Sequence, residues 1–280
     1  MARKPDRTVG WWAAESMISS RFQDYFSQVS ARYARYRPTY PPGLFDMVSS
    51  YAPALECAWD CATGSGQAAV GLSRSFRKVI ATDASPQQVQ QATPVENVEY
   101  RVAPAEASGL ETASVDAVTV AQALQWFDRD TFYAEVRRVG RPGAVLAVWF
   151  YAARMSFSPQ VDAVTDQVHR LFLDYWPPVY DDLIQSFLYL NRPECQETLF
   201  RNLSFPFEPL PTPAFELAVH WNLDELLGAL ATSSAAQRCM AANGQADLLS
   251  LFEELSNAWG DPVEKKTGAE TLAVRIGRIA

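Results

Sequence analysis

Short apolar runs alternate with longer amphipathic runs through the first half of the chain. The apolar runs predict five strands, at residues 57–59, 78–82, 98–102, 115–120 and 144–151. The amphipathic runs predict helices at residues 44–52, 67–76, 86–92 and 129–139, and Arg141-Pro-Gly143 predicts a turn. Strands and helices in this alternation are typical of βαβ units on a mostly parallel sheet.

The pattern changes at both ends of this alternating segment. Residues 14–35 carry few helix breakers and predict a helix, which the proline-rich segment 37–42 ends. After residue 152 we expect two aromatic-rich helices within 160–190, a surface segment at 204–213 with four prolines, helices at 223–231 and 247–259, and strands at 215–221 and 271–277.

Composition and charge restrict the class of protein. The 280 residues are 48% hydrophobic and 20% charged, which is a globular composition. A net charge of −8 argues against binding to duplex nucleic acid or to an anionic membrane surface. We find no apolar run long enough to cross a bilayer, and Glu15 interrupts the apolar stretch that follows the basic start. We therefore expect a cytoplasmic protein with no nucleic-acid or membrane partner, and we expect a monomer or homodimer.

The four cysteines predict neither a disulfide framework nor a metal site. Cys57 and Cys61 are separated by three residues with no histidine near them, and Cys195 and Cys239 are isolated in the sequence. We interpret all four as free thiols and expect no metal.

A glycine-rich turn is the sharpest chemical feature. The segment Gly64-x-Gly66-x-x-Ala69 stands between a predicted strand and a predicted helix, where glycines allow a tight turn and close approach to a nucleotide cofactor. Asp83 follows 19 residues after Gly64, at the end of the next strand, where it could accept hydrogen bonds from ribose hydroxyls or cap the following helix. Asp60 suits a cofactor with an ammonium group better than one that carries only phosphates.

These motifs resemble those of the class I S-adenosylmethionine-dependent methyltransferases. The resemblance rests on Asp60-x-x-x-Gly64-x-Gly66, Asp83, Ala105-Glu106 and the segment from Asp116 to Phe127. Tyr33-x-x-x-Arg37-Pro-x-Tyr40-Pro41, with segments 121–127, 230–238, 259–261 and 273–277, is similar to the small-molecule branch related to trans-aconitate methyltransferase. The similarity covers about residues 22–280.

The resemblance implies a fold class and a division of the chain. We expect an α/β protein with a Rossmann-like methyltransferase sheet, mostly parallel with an antiparallel last strand, and a helical cap. The expected parts are an N-terminal helical lid at 1–42, a cofactor-binding core at 43–151, a cap and substrate region at 152–265 that includes a late sheet strand, and the final strand at 266–280.

The implied cofactor is S-adenosyl-L-methionine, with S-adenosyl-L-homocysteine as its product. The residues implied to bind it are Tyr33, Arg37, Asp60, Ala62, Thr63, Gly64, Gly66, Asp83, Ala84, Ala105, Glu106, Ala121 and Gln122. Asp60 would lie near the methionine ammonium and Asp83 would hold the ribose. Tyr33 and Arg37 would close over the methionine carboxylate. Pro104 stands where many members have an acid, which puts one adenine hydrogen bond in doubt.

The resemblance specifies the substrate-binding residues less closely than the cofactor-binding residues. Gln125 stands where relatives often have a histidine, so we expect it to position substrate or cofactor instead of acting as a general base. Trp126, Trp149, Tyr151, Trp176 and Tyr180 are expected to line the substrate pocket, with ordinary core packing as the alternative. We interpret the two histidines, at 169 and 220, as structural residues.

Together these features predict methyl transfer to a small molecule, with O-methylation of a carboxylate or hydroxyl as the first hypothesis. The alternatives are N- or C-methylation of a secondary metabolite, a cofactor-binding protein with lost or altered activity, and a methyltransferase with a protein substrate. A nicotinamide-dependent oxidoreductase would need a proton-relay pair such as Tyr–Lys near a strand end, and the sequence shows none there.

Overall fold

A computed structural model describes residues 39–152, 154–176, 183, 186, 192–242 and 245–279. The predicted helix at 14–35 and almost all of the predicted lid lie outside these residues. The first helices and strands are α1 (Pro42–Tyr51), β1 (Cys57–Cys61), α2 (Gln67–Leu72), β2 (Lys78–Asp83), α3 (Pro86–Gln90), β3 (Val98–Val102), β4 (Val115–Ala121), a 3₁₀ turn (Leu124–Trp126), α4 (Arg129–Val139) and β5 (Gly140–Phe150). The later ones are α5 (Pro159–Phe172), α6 (Pro193–Asn202), β6 (Glu208–Pro209), β7 (Phe215–Trp221), α7 (Leu223–Ala231), α8 (Ser234–Ala241), α9 (Gln245–Trp259) and β8 (Lys266–Arg278).

The strands form one mixed sheet in the order β3-β2-β1-β4-β5-β8-β6. Strands β1 to β5 run parallel, whereas β8 pairs antiparallel with β5, with β6 and with β7. The expected fold class, a mostly parallel Rossmann-like sheet with an antiparallel last strand, is confirmed. Every residue of β1 is buried, as expected for a central parallel strand covered by helices on both faces.

Two apolar clusters cover the faces of the sheet, and a third forms the cap. Alternate residues of β5 divide between the two faces: Leu146 and Val148 pack with the helix α4 side, and Ala147 and Trp149 pack with the α1 side. The third cluster joins α5, α7, α8 and α9 around Trp259. The cap is therefore a small helical layer with a core of its own.

Helix starts follow capping side chains in the sequence. Asp128 accepts a hydrogen bond from the Thr131 amide at the start of α4. Asn222 and Glu225 form a capping box at the start of α7. Because these side chains satisfy free amides of the first turn, they fix the two helix starts at the predicted positions.

Three predictions of local structure were wrong. The segment Arg141-Pro-Gly143 is not a turn but the irregular start of β5, with Gly143 at φ +81° and a register shift opposite Val115 and Ala117. The helices predicted at 67–76 and 86–92 end earlier, at Leu72 and Gln90. Helices α6 and α8 were not predicted.

Most of the second aromatic helix expected within 160–190 lies outside the described residues. Of the segment at 204–213, Glu208–Pro209 pairs with β8. No helix in the described part of the chain is both long and apolar enough to cross a membrane.

Candidate functional site

The predicted cofactor residues gather where the parallel strands end. Asp60, Asp83 and Ala121 lie at or next to the carboxyl ends of β1, β2 and β4, which are adjacent strands. The carboxyl edge of an open α/β sheet, near the point where the strand order reverses, is the usual ligand crevice. The strand order reverses here between β1 and β4.

Asp60 is fully buried beneath the glycine turn. Its carboxylate accepts hydrogen bonds from the hydroxyls of Thr63 at 2.5 Å and of Thr119 at 2.6 Å. Burial raises the pKa of Asp60 to about 6, against the opposing effect of these hydrogen bonds. Asp60 therefore braces the turn against β4, and Thr119 is a partner that the sequence analysis did not identify.

Asp83 connects the glycine turn to the segment after β2. Its Oδ2 accepts from the Gly64 amide at 2.9 Å, and its Oδ1 accepts from the Ser85 amide at 2.8 Å. An ionised carboxylate has about four acceptor positions, so two stay open for ligand hydroxyls. Burial raises the pKa of Asp83. The cap of α3 is Ser85, whose side chain accepts from the Gln88 amide, so the alternative of Asp83 as the helix cap was wrong.

The two glycines of the turn serve different purposes. Gly66, at φ +90°, faces the Tyr100 ring, and a Cβ there would lie 2.5 Å from the Tyr100 hydroxyl oxygen. Gly64, at φ +56°, faces open space, where a Cβ would have only the Gln88 Oε1 within 4 Å, at 3.9 Å. Gly66 is thus required by packing inside the protein, whereas Gly64 leaves room for a ligand.

Ala105 and Glu106 follow β3 beside the same edge. Ala105 is buried, and Oε1 of Glu106 accepts a hydrogen bond from the Asp128 amide at 3.0 Å. Glu106 therefore ties the loop after β3 to the start of α4. Pro104, which stands where many members of the family have an acid that could bond to adenine, is exposed.

The loop after β4 is held by amide side chains. Gln122 adopts φ +60°, and its side-chain Nε2 donates to the Tyr151 carbonyl at 2.7 Å. Gln125 is buried, and its Nε2 donates to the Gln122 carbonyl at 3.0 Å. Its amide thus fastens one turn of backbone at the crevice, between the ends of β4 and β5.

The loop after β5 has a second anchor. Glu270 on β8 is buried and accepts hydrogen bonds from the amides of Ala152 and Arg154. Arg154 also forms an ion pair with Asp166 on α5. This carboxylate was not predicted, because it lies more than 110 residues from the loop that it holds.

The predicted substrate aromatics do not share one pocket wall. Trp126 and Trp176 pack against the α4 side of the sheet, and Trp149 and Tyr151 pack against the α1 side. Tyr40 bridges the second pair, with its ring centroid 5.3 Å from that of Trp149 and 6.4 Å from that of Tyr151. Ala62, at φ +54°, and Ala84 are half-buried residues that directly follow β1 and β2. The predicted site residues Tyr33, Arg37 and Tyr180 lie outside the described residues.

Both histidines belong to peripheral parts of the fold. His169 is buried in α5 with its Nδ1 2.7 Å from the Thr165 carbonyl oxygen. His220 is an exposed residue of β7, with its Nδ1 3.4 Å from the Thr267 hydroxyl. The described residues contain no cluster of three or more metal-ligating side chains, and all four cysteines are free thiols.

At the opposite, amino edge of the sheet, Asp116 has a structural role. It is fully buried and accepts from the amides of Glu56 at 3.0 Å and Cys57 at 2.9 Å. It also pairs with Arg141 at 2.9 Å. Asp116 therefore holds the starts of β1 and β5 and takes no part in the crevice, although it belongs to the segment that carried the resemblance.

Comparison with known proteins gives the same class as the fold and the crevice. The family described as "Methyltransferase domain" matches residues 59–148. A methyltransferase of Dictyostelium discoideum is 34% identical over 192 residues, 67% of this chain and 72% of that protein. Methyltransferase cfoB of Aspergillus candidus is 28% identical over 57% of this chain and 54% of its own length. The solved structure of a type II methyltransferase from Anaeromyxobacter dehalogenans is 40% identical, covers 87% of this chain and 98% of its own, and has a TM-score of 0.75.

The fold and the matched region define an S-adenosylmethionine-dependent methyltransferase of class I. The chain belongs to the methyltransferase domain family. Its methyl donor is therefore S-adenosyl-L-methionine, as is general for this family.

The residues at the crevice fit this cofactor. The cofactor carries two ribose hydroxyls as donors, and Asp83 has acceptor positions open beside Gly64. Gly64 presents no side chain on its open side, so a ligand can approach the backbone there. The acidic set of Asp60, Asp83 and Glu106 favours a cofactor with a positive charge over one whose charge comes from phosphates.

Proposed function

We propose that the protein transfers a methyl group from S-adenosylmethionine to an oxygen of a small molecule, most readily to a carboxylate. The observation that carries this proposal is the loop after β4. Residues 121–127 contain no ionisable side chain, and Gln125 in that loop is buried and engaged with the Gln122 carbonyl. A carboxylate is already ionised at neutral pH and needs no base, whereas a hydroxyl or an amine usually needs one.

The proposed cofactor site follows the crevice. Asp83 accepts from the ribose hydroxyls, and Gly64 leaves space for the ligand beside it. Asp60 contributes negative charge below the turn while it bonds to Thr63 and Thr119, so its effect on the methionine ammonium is electrostatic. Ala62, Ala84, Ala105, Glu106, Ala121 and Gln122 complete the proposed lining together with Tyr33 and Arg37.

Methyl transfer to a carboxylate requires the protein to position the acceptor oxygen more than to activate it. The sulfonium of the bound cofactor supplies an electrophilic methyl group. The protein must hold the acceptor oxygen in line, about 3 to 3.5 Å from that methyl, and exclude water. The hydrogen bonds that join Gln125, Gln122 and Tyr151 hold the loop after β4 against the end of β5, and we place the acceptor beside these loops. Trp126 supplies an apolar surface next to them.

The experiment is a methyl-transfer assay with labelled S-adenosylmethionine and a panel of small acids, phenols and amines. Methyl esters release volatile methanol in alkali, whereas methyl ethers and methylamines do not, so the readout identifies the atom methylated. We expect base-labile label on at least one carboxylate. With no general base to titrate, its kcat should be constant from about pH 7 to 9, above the pKa of about 6 of Asp60.

Matched variants distinguish residues of the proposed cofactor site from residues that only support the fold. Asp83→Asn should lose transfer at limiting cofactor, and His220→Gln should retain both the rate and the flat pH profile. Label found only on hydroxyls or amines, or a bell-shaped profile that disappears in His169→Gln, would refute the carboxylate proposal and leave the methyltransferase class intact.

A further inference from the structure

A buried amide oxygen faces the glycine turn without a hydrogen-bond partner. Gln88 is 5% exposed, and its Oε1 accepts no hydrogen bond from any described residue. Buried polar atoms are nearly always paired, and an unpaired acceptor is costly unless a ligand or water completes it. Gln88 thus differs from its neighbours Gln87 and Gln90, which are exposed.

The position of this oxygen is determined by the same contacts that build the crevice. The Gln88 backbone amide donates to the Ser85 side chain, and the Ser85 amide donates to Asp83. The oxygen then lies 3.9 Å from the position that a Cβ on Gly64 would occupy. Asp83 bonds to the amide of that same glycine. The Asp83 carboxylate and the Gln88 amide therefore flank Gly64 together.

An unpaired acceptor at this place can accept a hydrogen bond from a donor on a bound ligand. The donors of S-adenosylmethionine are the two ribose hydroxyls, the adenine amino group and the methionine ammonium. Asp83 is proposed above to hold the ribose, and Gln88 flanks the same glycine, so the ribose hydroxyls are the nearest donors by this geometry. We infer that Gln88 Oε1 is a second acceptor for one ribose hydroxyl of the cofactor, an inference that rests on the proposed placement of the ribose at Asp83.

The variant Gln88→Met removes the oxygen and keeps a side chain of similar length. S-adenosylhomocysteine should bind the variant about 3- to 10-fold more weakly, as expected for loss of one hydrogen bond. Isothermal titration calorimetry without any methyl acceptor measures this loss directly. Gln90→Met on the same helix is the matched control and should bind like wild type.

Analogues of the product identify the hydroxyl. The 2′-deoxy and 3′-deoxy forms of S-adenosylhomocysteine each lack one donor. For the analogue that lacks the Gln88 partner, Gln88→Met and wild type should have equal affinities. For the other analogue the 3- to 10-fold difference should persist, because coupled changes are not additive.

Stability of the ligand-free protein separates a binding role from a packing role. Because the variant replaces an unpaired buried acceptor with an apolar group, its urea midpoint without ligand should equal or exceed that of wild type. A lower midpoint with equal weakening for all three ligands would overturn the inference. Unchanged affinity for S-adenosylhomocysteine would also overturn it. A wild-type protein that binds none of the three ligands would instead overturn the cofactor site itself.

Discussion

Replacement of Asp60 by asparagine should change the pH dependence of folding in a defined direction. Burial raises the pKa of the Asp60 carboxyl from its ordinary 3.8 to about 6 in the folded protein. Below pH 3.8 the carboxyl is protonated in both the folded and the unfolded state. As the pH rises through about 6, the folded state comes to bear the full cost of a buried charge, which the unfolded chain does not bear.

The magnitude follows from the two pKa values. The difference between 3.8 and about 6 corresponds to about 3 kcal/mol at 1.36 kcal/mol per pH unit. Most of this change falls between about pH 4 and pH 7. The free energy of unfolding of wild type, relative to that of Asp60→Asn, should therefore fall by about 2 to 3 kcal/mol over that range.

The assay is urea unfolding of both proteins at about pH 4, 5, 6 and 7. The comparison cancels the effects of other carboxyls such as Glu99 and Glu135, whose pKa values are lowered by hydrogen bonds from arginine and so act in the opposite direction. The new amide adds an offset from its changed bonding to Thr63 and Thr119, but that offset does not depend on pH. A difference that stays constant from pH 4 to pH 7 would refute the reasoning about Asp60.

Four further predictions concern the two edges of the sheet. Asp83→Asn should raise the dissociation constant of S-adenosylhomocysteine at least about tenfold, because bonds to a charged acceptor are lost; a change below about twofold in calorimetry would contradict the ribose placement. Gly66→Ala should destabilise the fold by about 1 to 3 kcal/mol, because the added Cβ would collide with the Tyr100 side chain. Urea unfolding should show a smaller loss when the same change is made in a Tyr100→Ala background. Gly64→Ala should lower the free energy of unfolding by only about 1 kcal/mol but abolish measurable cofactor binding. Full cofactor binding by this variant would contradict the placement of the ligand beside Gly64. Asp116→Ala should cost about 3 to 5 kcal/mol, since it leaves the Arg141 charge and two amides without a partner, while cofactor affinity of the folded protein is unchanged.

The strands and several helices were predictable because each has a local cause. The strand at 215–221 and the helices at 129–139 and 223–231 have the predicted bounds. Their signals are an apolar alternation and capping side chains at 128 and 222, all within a few residues of the structure they specify. The fold class followed from the order of these local signals.

The irregular start of β5 had a misleading local signal. Pro142 and Gly143 indicate a turn, but the ion pair between Arg141 and Asp116 and the pairing with β4 keep this segment in the sheet. The contact comes from a residue 25 positions earlier, so tertiary structure overrides the local preference.

In the crevice, too, the features with a local sequence signal were predictable and those that depend on tertiary contacts were not. The turn at Gly64 and the acid at Asp83 were found from their spacing together with the strands and the helix predicted around them. The partner Thr119 of Asp60 depends on strand register across 59 residues, and Gln88 is one of four glutamines between positions 87 and 91. Nothing in that run of the sequence distinguishes the buried glutamine from the exposed ones. Its role could be seen only once the helix was placed against the turn.

We propose that the crevice at Gly64 and Asp83 binds S-adenosylmethionine. The most direct test is thermal unfolding of wild type and Asp83→Asn with S-adenosylmethionine, S-adenosylhomocysteine and NAD. A ligand at 100 times its dissociation constant adds about 2.7 kcal/mol, which corresponds to a rise of a few degrees in Tm for a chain of this size. We predict that the first two ligands raise the Tm of wild type, that NAD does not, and that Asp83→Asn shows a much smaller rise at the same concentrations. A rise with NAD alone, or an equal rise for wild type and Asp83→Asn, would contradict the claim.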